Sequence, residues 1–373
     1  MQYTYLFFFC FLVLGIRDMR SQKNTDFKWW DPVSSPFAIE GQAWTGETAA
    51  PFDRLPARAG SLVRKPVWGL SHNSAGLIVR FYSNAENIKV EYGVSGNFAM
   101  SHMPATGVSG VDLYAQRPDG KWLWCAGRRS FGDTIRYVFS GIAPESSYHE
   151  NGLEYKLYLP LYNSVGWLRI GVPVNDSISS LPKKNKKPVV VYGTSITQGA
   201  CASRPGLAWT AILGRELGMP VINLGFSGEG KLDEEMIILI SEIDASVYIL
   251  DCMPNMTAPR FTNNEVKERV INAVKYLLKT HPDTPVLLTE HDGYTDGLMR
   301  PERLKNYTEI NKTLCDAYRT LKEEGVQNVF LLPAREIGMD VNCQVDGIHP
   351  NDLGMYKYAL AYNRYIRVIL GIQ

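Results

Sequence analysis

The sequence lacks three features that would each point to a particular class of protein. Its 39 Lys and Arg residues balance 38 Asp and Glu residues, and the net charge of +1 gives no general attraction for nucleic acid or an anionic membrane. Its six cysteines include no close pair, so zinc knuckles, dithiol redox motifs and disulfide scaffolds are not indicated. No apolar run reaches the ~20 residues that span a bilayer. Free or buried thiols are expected, with a single disulfide still open.

The first 21 residues have the pattern of a secretory signal peptide. The apolar run from Tyr5 to Ile16 is too short for a transmembrane helix, and the polar stretch from Arg17 to Gln22 follows it. Ser21 is a suitable small residue before a cleavage point, although Met1 to Thr4 carry no Lys or Arg. We expect an exported protein, periplasmic or secreted, without stable membrane insertion after cleavage. An N-terminal anchor or a buried strand is the alternative.

Residues 26–181 predict a domain built from β-strands. Short runs rich in β-branched and aromatic residues, several alternating apolar with polar positions, are typical of half-buried antiparallel strands. They are residues 77–82, 88–92, 111–114, 135–139, 154–159 and 168–172. No stretch has a sustained helical period, so we expect an antiparallel β-sandwich of the jelly-roll type. Residues 182–187, with a Lys-Lys-Asn-Lys-Lys cluster, are expected to be a solvated linker.

The pattern changes after Pro188 to strands that alternate with amphipathic helices. Five buried apolar runs predict parallel strands, and they are residues 189–192, 221–224, 245–251, 286–289 and 329–332. Amphipathic helices are predicted after an N-cap at Asn263 or Asn264, from Pro301 and from about Asn351. This alternation predicts a three-layer α/β/α domain with a parallel sheet over residues 188–373.

Ser195 follows the first predicted parallel strand, in the sequence Gly193-Thr194-Ser195. A serine at this place is most often a turn or cap residue, but open α/β sheets form their active sites at the carboxyl ends of strands. Asp346 and His349 stand three residues apart just before the last predicted helix. An Asp that accepts a hydrogen bond from imidazole Nδ1 leaves Nε2 free to take a serine proton. The three residues together predict nucleophilic catalysis by serine.

Two further strand ends carry groups suited to binding an oxyanion, which acyl transfer requires. The second strand leads into a loop that contains Gly228, Glu229 and Gly230, and glycines let backbone N–H groups approach a ligand closely. The third strand leads to Asn255, whose amide could point into the same crevice. Taken singly, a plain turn and a helix cap explain these residues equally well.

These blocks resemble those of the SGNH (GDSL-type) serine hydrolases, which are named for a Ser, a Gly, an Asn and a His in separate sequence blocks. The resemblance implies a flavodoxin-like α/β/α fold in which Ser195 is the nucleophile, His349 the base and Asp346 its orienting acid. It also implies an oxyanion hole formed by the backbone N–H groups of Ser195 and Gly228 and by the side chain of Asn255.

The sequence departs from that family in two blocks and matches it again upstream. Thr194 stands where the commonest form has Asp before the nucleophile, and Met253-Pro254-Asn255-Met256 replaces Gly-x-Asn-Asp. Gly110-Val111-Asp112-Leu113-Tyr114 is similar to the Gly-x-Asp-Leu-Tyr signature of an N-terminal β-domain attached to a bacterial subset of these hydrolases, common in gut Bacteroidetes. The two parts of the resemblance cover nearly all of the chain after residue 21.

Four other residues are candidates for substrate binding: Thr194, Glu229, His291 and Arg54. A metal site from residues 290–292 is conceivable, but a hydrogen-bonded loop is the favoured interpretation, and no metal is predicted. Tryptophans concentrate in the predicted β-domain, and for the six between residues 29 and 124 we expect core packing in most cases, although exposed indoles would stack on sugar rings. These six are Trp29, Trp30, Trp44, Trp68, Trp122 and Trp124.

The favoured hypothesis is an exported serine esterase that removes a short acyl group, expected to be acetyl, from a carbohydrate. A lipase, thioesterase or lysophospholipase on the same site is one alternative. A non-catalytic carbohydrate-binding protein that keeps the fold is another. No cofactor is required for the favoured reaction, the expected partner is a small-molecule or carbohydrate ester, and no nucleic acid is expected to bind. The sequence does not determine the oligomeric state.

Overall fold

A computed structural model of the chain describes residues 26–142, 152–182 and 185–372. The predicted signal peptide, residues 1–21, and part of the predicted linker, residues 183–184, lie outside these ranges. Two antiparallel sheets and one parallel sheet make up the fold. The predicted succession of a β-domain and an α/β domain is confirmed.

The two antiparallel sheets form an N-terminal β-sandwich. Its strands are β1 (Phe27–Trp30), β2 (Ile39–Glu40), β3 (Ile78–Ser83), β4 (Asn87–Val94), β5 (Asp112–Gln116), β6 (Trp122–Cys125), β7 (Arg128–Ser130), β8 (Ile135–Ser140), β9 (Leu153–Tyr158), β10 (Val165–Pro173) and β11 (Ile178–Ser180). One sheet has the order β1-β10-β4-β8-β7 and the other β11-β3-β9-β5-β6, with β2 beside β3. In β8, Ile135, Tyr137 and Phe139 point into the core between the sheets, as the alternating pattern predicts.

Two short α-helices interrupt the described part of the β-domain. They are α1 (Lys65–Ser71), with Pro66 in its first turn, and α2 (Ala105–Val108). Seven and four residues are too few to show a repeating apolar period in the sequence, which explains why neither was predicted.

The parallel sheet has five fully or largely buried strands in the order β13-β12-β14-β15-β16. These are β12 (Val189–Gly193), β13 (Val221–Gly225), β14 (Val247–Asp251), β15 (Val286–Thr289) and β16 (Val329–Leu332). Counted from the first strand of this sheet, the order is 2-1-3-4-5, the flavodoxin-like arrangement that places ligands where the order reverses. Gly193 pairs in register with Gly225 and with Asp251, so three strands end at one edge of the sheet.

Helices cover both faces of the parallel sheet. They are α3 (Ser195–Gln198), α4 (Trp209–Leu217), α5 (Glu234–Ile240), α6 (Asn263–Thr280), α7 (Pro301–Glu323), α8 (Ala334–Ile337) and α9 (Asp352–Leu370). Helices α5, α6 and α7 pack on one face, and α4, α8 and α9 on the other. The N-cap of helix α6 is Thr262, which forms a capping box with Glu265, and not Asn263 or Asn264 as predicted. Among the described residues, no helix has both the length and the apolar composition needed to cross a membrane.

Arg54 links the β-domain to the parallel sheet and does not lie in a substrate site. Its side chain is 2% exposed, and its guanidinium donates to the backbone carbonyls of Asn223 and Gly225 at the end of β13. The same group also donates to the carbonyls of Leu70 and Asn73 in the β-domain. Burial lowers the pKa of Arg54 to about 9. The prediction that Arg54 binds substrate is therefore corrected, because backbone carbonyls occupy its donors.

Asp112, in the Gly-x-Asp-Leu-Tyr segment, forms a second link. Its Oδ2 accepts from Arg204 Nη1 at 2.5 Å and from the Gly206 backbone N–H at 3.0 Å, just before α4. Its Oδ1 accepts from Trp124 Nε1 at 2.5 Å. The segment thus ties the edge of the second antiparallel sheet to the loop that follows the α3 helix.

Two expectations about side chains in the core are also resolved. All five cysteines in the described residues are free, so the disulfide left open by the sequence is not formed there. Core packing holds for Trp44, but Trp29 is 37% and Trp124 50% exposed, and the other three tryptophans are half-buried. These three, Trp30, Trp68 and Trp122, still pack against the hydrophobic cores, so core packing holds for four of the six tryptophans, as expected.

Candidate active site

Ser195 lies at a tight strand-to-helix turn between β12 and α3. The turn requires Gly193, because a Cβ at this position would lie 2.1 Å from Thr197 Oγ1. Thr194 is fully buried, and its hydroxyl accepts from the Ile196 N–H at 3.2 Å to cap the helix. Thr194 is therefore a cap and not a substrate contact. The Ser195 N–H lies in the first turn, where backbone N–H groups have no acceptor within the helix.

The structure brings Ser195, His349 and Asp346 into one line of hydrogen bonds. Ser195 Oγ lies 2.9 Å from His349 Nε2. On the other side of the ring, His349 Nδ1 lies 2.7 Å from Asp346 Oδ2. These distances suit transfer of a proton from the hydroxyl to the imidazole, with the tautomer fixed by the carboxylate.

The segment from Asp346 to His349 is a tight loop in which Asp346 fixes the position of His349. Asp346 Oδ1 accepts from the backbone N–H groups of Ile348 at 3.2 Å and His349 at 2.8 Å. Partial burial alone would raise the pKa of Asp346, but its hydrogen bonds from His349 outweigh burial and hold that pKa below the ordinary value. The loop leads directly into helix α9, whose N-cap is Asn351.

Gly228 lies in a turn, and hydrogen bonds fix the residues on both sides of it. The Phe226 carbonyl accepts from the N–H groups of Glu229 at 2.9 Å and Gly230 at 3.2 Å, and Gly228 has a φ of +71°. A Cβ on Gly228 would meet nothing within 4 Å, so this side of the turn is open. From the other side, Gln198 Oε1 accepts from the Ser227 N–H at 3.0 Å.

Glu229 anchors this turn to the β-domain, which corrects the prediction that it binds substrate. Its carboxylate pairs with Arg64 from the β-domain and lies 2.7 Å from Lys231 Nζ. Partial burial works against ionisation, but the bonds from Lys231 and Arg64 lower the pKa of Glu229. Arg64 also binds Asp233 at 2.7 Å. Two cations therefore occupy the carboxylate.

Asn255 lies on a 3-10 turn, Met253–Asn255, directly after β14. Its Oδ1 accepts from the Gly230 N–H at 3.2 Å, which leaves the amide NH₂ group as the donor. Gly230 in turn approaches β12 so closely that a Cβ on it would lie 2.2 Å from the Gly193 carbonyl oxygen. The Ser, Gly and Asn blocks of the sequence are thus brought together at the end of β12.

In the Glu290-His291-Asp292 segment, Glu290 and His291 bind protein groups and do not form a ligand site. His291 is fully buried, its Nδ1 accepts from the Gly293 N–H at 2.9 Å, and its backbone pairs with the Asn311 amide. Glu290 accepts from the Ala334 N–H at 2.8 Å and from the Cys315 thiol at 3.1 Å. The prediction that His291 contacts substrate is corrected, because its ring is enclosed by the protein.

Sequence reasoning missed two residues next to this site. The β-domain places the His102 ring 5.8 Å from that of His349, centroid to centroid. Asp251, buried behind α3, accepts from Thr197 Oγ1 at 3.3 Å, and burial followed by the nearby Asp292 raises its pKa to about 7. Nothing marked His102 in the sequence, whereas the polar end of the buried β14 run could have singled out Asp251.

Two family models match the chain, one on each part of the fold. Residues 186–367 match the GDSL-like lipase/acylhydrolase family. Residues 27–178 match the GxDLY model, the N-terminus of SGNH-hydrolase-type esterases. No protein with a curated description matches the chain.

Solved structures share the whole architecture. A protein from Bacteroides ovatus ATCC 8483, described as a candidate GDSL-like lipase, is 32% identical over 93% of this chain and 99% of its own, with a TM-score of 0.83. A salicylyl-acyltransferase from a tetracycline biosynthetic pathway is 18% identical over 92% and 97%, with a TM-score of 0.71. An acetyl xylan esterase from the rumen bacterium Butyrivibrio proteoclasticus is 10% identical over 92% and 99%, with a TM-score of 0.53. The chain belongs to the GDSL-like lipase/acylhydrolase family of ester hydrolases and carries the GxDLY N-terminal region.

Proposed function

We propose that this ester hydrolase is a serine esterase that cleaves short acyl esters, acetyl foremost, on carbohydrates through Ser195, His349 and Asp346. The observation that carries the catalytic part is the line of hydrogen bonds, 2.9 Å from Ser195 Oγ to His349 Nε2 and 2.7 Å from His349 Nδ1 to Asp346 Oδ2. Ser195 attacks the ester carbonyl while His349 accepts the hydroxyl proton.

The reaction then passes through an acyl-enzyme. His349 returns the proton to the leaving alcohol as the carbon–oxygen bond of the ester breaks, which leaves the acyl group on Ser195 Oγ. Water attacks this group with His349 again as base, and release of the carboxylic acid restores the serine. Asp346, kept ionised by its hydrogen bonds, stabilises the imidazolium in both steps.

The oxyanion of each step binds to the N–H groups of Ser195 and Gly228 and to the amide of Asn255 in this proposal. The open space beside the Gly228 backbone supports its role as an oxyanion donor. The hydrogen bond from the Gly230 N–H to Asn255 Oδ1 supports Asn255 as the third donor, because it orients the side-chain amide and leaves the NH₂ group free. Preorganised donors of this kind are worth a factor of about 10²–10³ each in kcat.

Two flat indoles on the β-domain support a carbohydrate as the alcohol part of the ester. Trp29 lies across Gly171 and Trp167 across Gly93, where a Cβ would come within 2.9 Å and 2.5 Å of the indoles. Each ring is thus backed by a glycine, and 37% and 43% of the two residues remain exposed. The Arg169 guanidinium lies between the two indoles, 4.3 Å from the Trp29 and 5.9 Å from the Trp167 ring centroid. Flat exposed indoles can stack on the apolar faces of sugar rings. The fold shared with an acetyl xylan esterase is consistent with this choice.

The catalytic part is tested by labelling with a fluorophosphonate probe. Wild type should be labelled on Ser195, as mapped by peptide mass spectrometry, and His349→Ala should label far more slowly. A folded chain that resists the probe but binds polysaccharide would favour the non-catalytic alternative.

The substrate class is tested by two rate comparisons. Hydrolysis of an aryl acetate should be faster than that of the matching octanoate, and the reverse order would favour the lipase alternative. Acetate release from a panel of acetylated glycans should exceed release from acetylated amino acids. On polysaccharides, Trp29→Ala and Trp167→Ala should raise KM and leave aryl acetate hydrolysis unchanged.

We also propose export of the protein, which the apolar run Tyr5–Ile16 and the small Ser21 support. N-terminal sequencing of the protein made by a bacterial host should find a chain that begins at Gln22 in the periplasm or the medium. A full-length chain in the cytoplasm would contradict export without affecting the catalytic proposal.

A further inference from the structure

His102, Cys201 and His349 bring three metal-binding atoms together beside Ser195. Among the described residues, the ligand atoms that these three side chains offer all lie within 4.8 Å of one another. Imidazole nitrogen and thiolate sulfur are the donors that Zn²⁺ and similar thiophilic ions prefer. Ligand bonds of about 2.0–2.3 Å in tetrahedral geometry place such atoms roughly 3.4–3.7 Å apart. The three ligand atoms therefore have to close in by about 1 Å at most, and His102 is the exposed side chain of the three.

The β-domain and the α/β domain hold this cluster between them. Thr106 Oγ1 donates to the Ser203 carbonyl at 2.6 Å, and Gly107 lies so close to Ala202 that a Cβ would be 2.3 Å from its carbonyl oxygen. Met103, next to His102, is buried in the same core as Ala202. The backbone that carries His102 is thus packed against the backbone that carries Cys201.

Cys201 is held in an unusual conformation. Its φ of +69° lies in the left-handed region, which residues with a Cβ rarely adopt. Hydrogen bonds on both sides enforce it, from the Ala200 N–H to the Ser195 carbonyl at 2.9 Å and from the Ser203 N–H to Asp352 at 2.8 Å. The thiol of Cys201 is free and buried. Strain of this kind concentrates at functional sites.

The hydrogen bond from His349 to Asp346 suits binding of a metal ion as well as uptake of a proton by the imidazole. It occupies Nδ1, which leaves Nε2 as the ring nitrogen for a further partner. A carboxylate behind a histidine is the usual support of a metal-binding imidazole. The two charges of a divalent ion would be balanced by the Cys201 thiolate and the Asp346 carboxylate. A thiol that becomes a metal ligand has to release its proton to solvent.

We propose that His102, Cys201 and His349 form an inhibitory site for a thiophilic transition-metal ion, with Zn²⁺ as its representative. The ion would take the lone pair of His349 Nε2, the atom that lies 2.9 Å from Ser195 Oγ, and water would fill its fourth position. Hydrolysis stops because the base can no longer accept the serine proton. Inhibition rests on the proposed role of His349, whereas binding of the ion does not.

Binding is measured first, on the full chain in reduced, metal-free form, by competition for Zn²⁺ with a chromophoric chelator. Wild type and Ser195→Ala should each bind one Zn²⁺ per chain at micromolar concentration. His102→Ala and Cys201→Ser should bind at least ten-fold more weakly, and Cys125→Ser, a half-buried cysteine of the β-domain, should match wild type. Equal binding by wild type, His102→Ala and Cys201→Ser would overturn the site.

Inhibition is measured next, with aryl acetate hydrolysis. Zn²⁺ should inhibit wild type and a chelator should restore the rate. His102→Ala and Cys201→Ser should keep the uninhibited rate and need at least ten-fold more Zn²⁺ for half inhibition. One bound Zn²⁺ with an unchanged rate would overturn the inhibitory role. A chain that binds Zn²⁺ but never hydrolyses the ester would instead contradict the proposed function and leave the metal site standing.

Discussion

The carboxylate of Asp346 binds His349 at two points, with Oδ2 2.7 Å from the ring Nδ1 and Oδ1 2.8 Å from the backbone N. One side chain therefore sets both the position of the residue and the orientation of its ring. Because these bonds lower the pKa of Asp346, the carboxylate remains ionised at any pH at which the imidazole acts as a base. This arrangement explains how a base on an exposed loop can be presented to Ser195 without a rigid strand beneath it.

Replacement of Asp346 by Asn should lower kcat/KM for an aryl acetate by about 10²–10⁴-fold, because an amide can donate to Nδ1 and favour the wrong tautomer. Asp283→Asn, an exposed residue in a turn, serves as the control and should keep the wild-type rate. A fully active Asp346→Asn would show that His349 needs no carboxylate partner.

Asn255→Asp should lower kcat by about 10²-fold or more with little change in KM, since a carboxylate still accepts from Gly230 but has no donor for an oxyanion. Its urea midpoint should stay near that of wild type. Asn272→Ala, on the exposed face of α6, should leave kcat unchanged. If Asn255→Asp turned over normally, the amide would have no part in the oxyanion hole.

Asp112→Ala should destabilise the protein by about 2–3 kcal/mol, because Arg204 and the Gly206 N–H lose their acceptor. The value lies below that of a fully buried pair, since the Arg204 side chain is 23% exposed. Asp133→Ala, exposed on the β-domain, provides the comparison in urea unfolding. Equal midpoints for the two variants would mean that the Asp112 link adds nothing to stability.

Asp251 should make the protein less stable as the pH rises. Its pKa is raised from 3.8 to about 7 in the folded state, so its stabilising effect is complete below pH 3.8 and is lost as the pH rises through about 7. Asp251→Asn removes this titration. Between pH 5.5 and pH 8, the free energy of unfolding of wild type should fall by roughly 2 kcal/mol relative to that of Asp251→Asn. The loss is about 1.4 kcal/mol for each pH unit up to pH 7. Urea unfolding of both proteins at the two pH values measures this, and parallel curves would contradict the raised pKa.

Much of the fold follows from the sequence because its elements have strong local patterns. Residues 286–289 and 329–332, continuous apolar runs, are strands with the predicted bounds, and the long helix predicted from Pro301 is α7. Ser195, Gly228 and Asn255 could be proposed together because the carboxyl ends of parallel strands share one edge of a sheet. Asp346 and His349 could be added because an Asp three residues before a His can accept from its Nδ1. The long-range partners follow no such rule.

The four candidates for substrate binding show why the remainder could not be predicted. Thr194 caps a helix, Arg54 binds backbone carbonyls, Glu229 binds cations and His291 is enclosed. Thr194 and His291 bond to backbone groups two residues away, whereas Arg54 and Glu229 depend on partners that are distant in the sequence. Arg64, for example, lies 165 residues from Glu229. His102 was missed for the same reason, since only packing of the β-domain brings it to His349.

The most direct test of the account is aryl acetate hydrolysis by Ser195→Ala, because every step of the proposed reaction passes through Ser195 Oγ. The variant should fold, with a circular dichroism spectrum and urea midpoint close to wild type, and its kcat/KM should fall at least about 10³-fold. A folded Ser195→Ala that hydrolyses the ester at the wild-type rate would contradict the central claim.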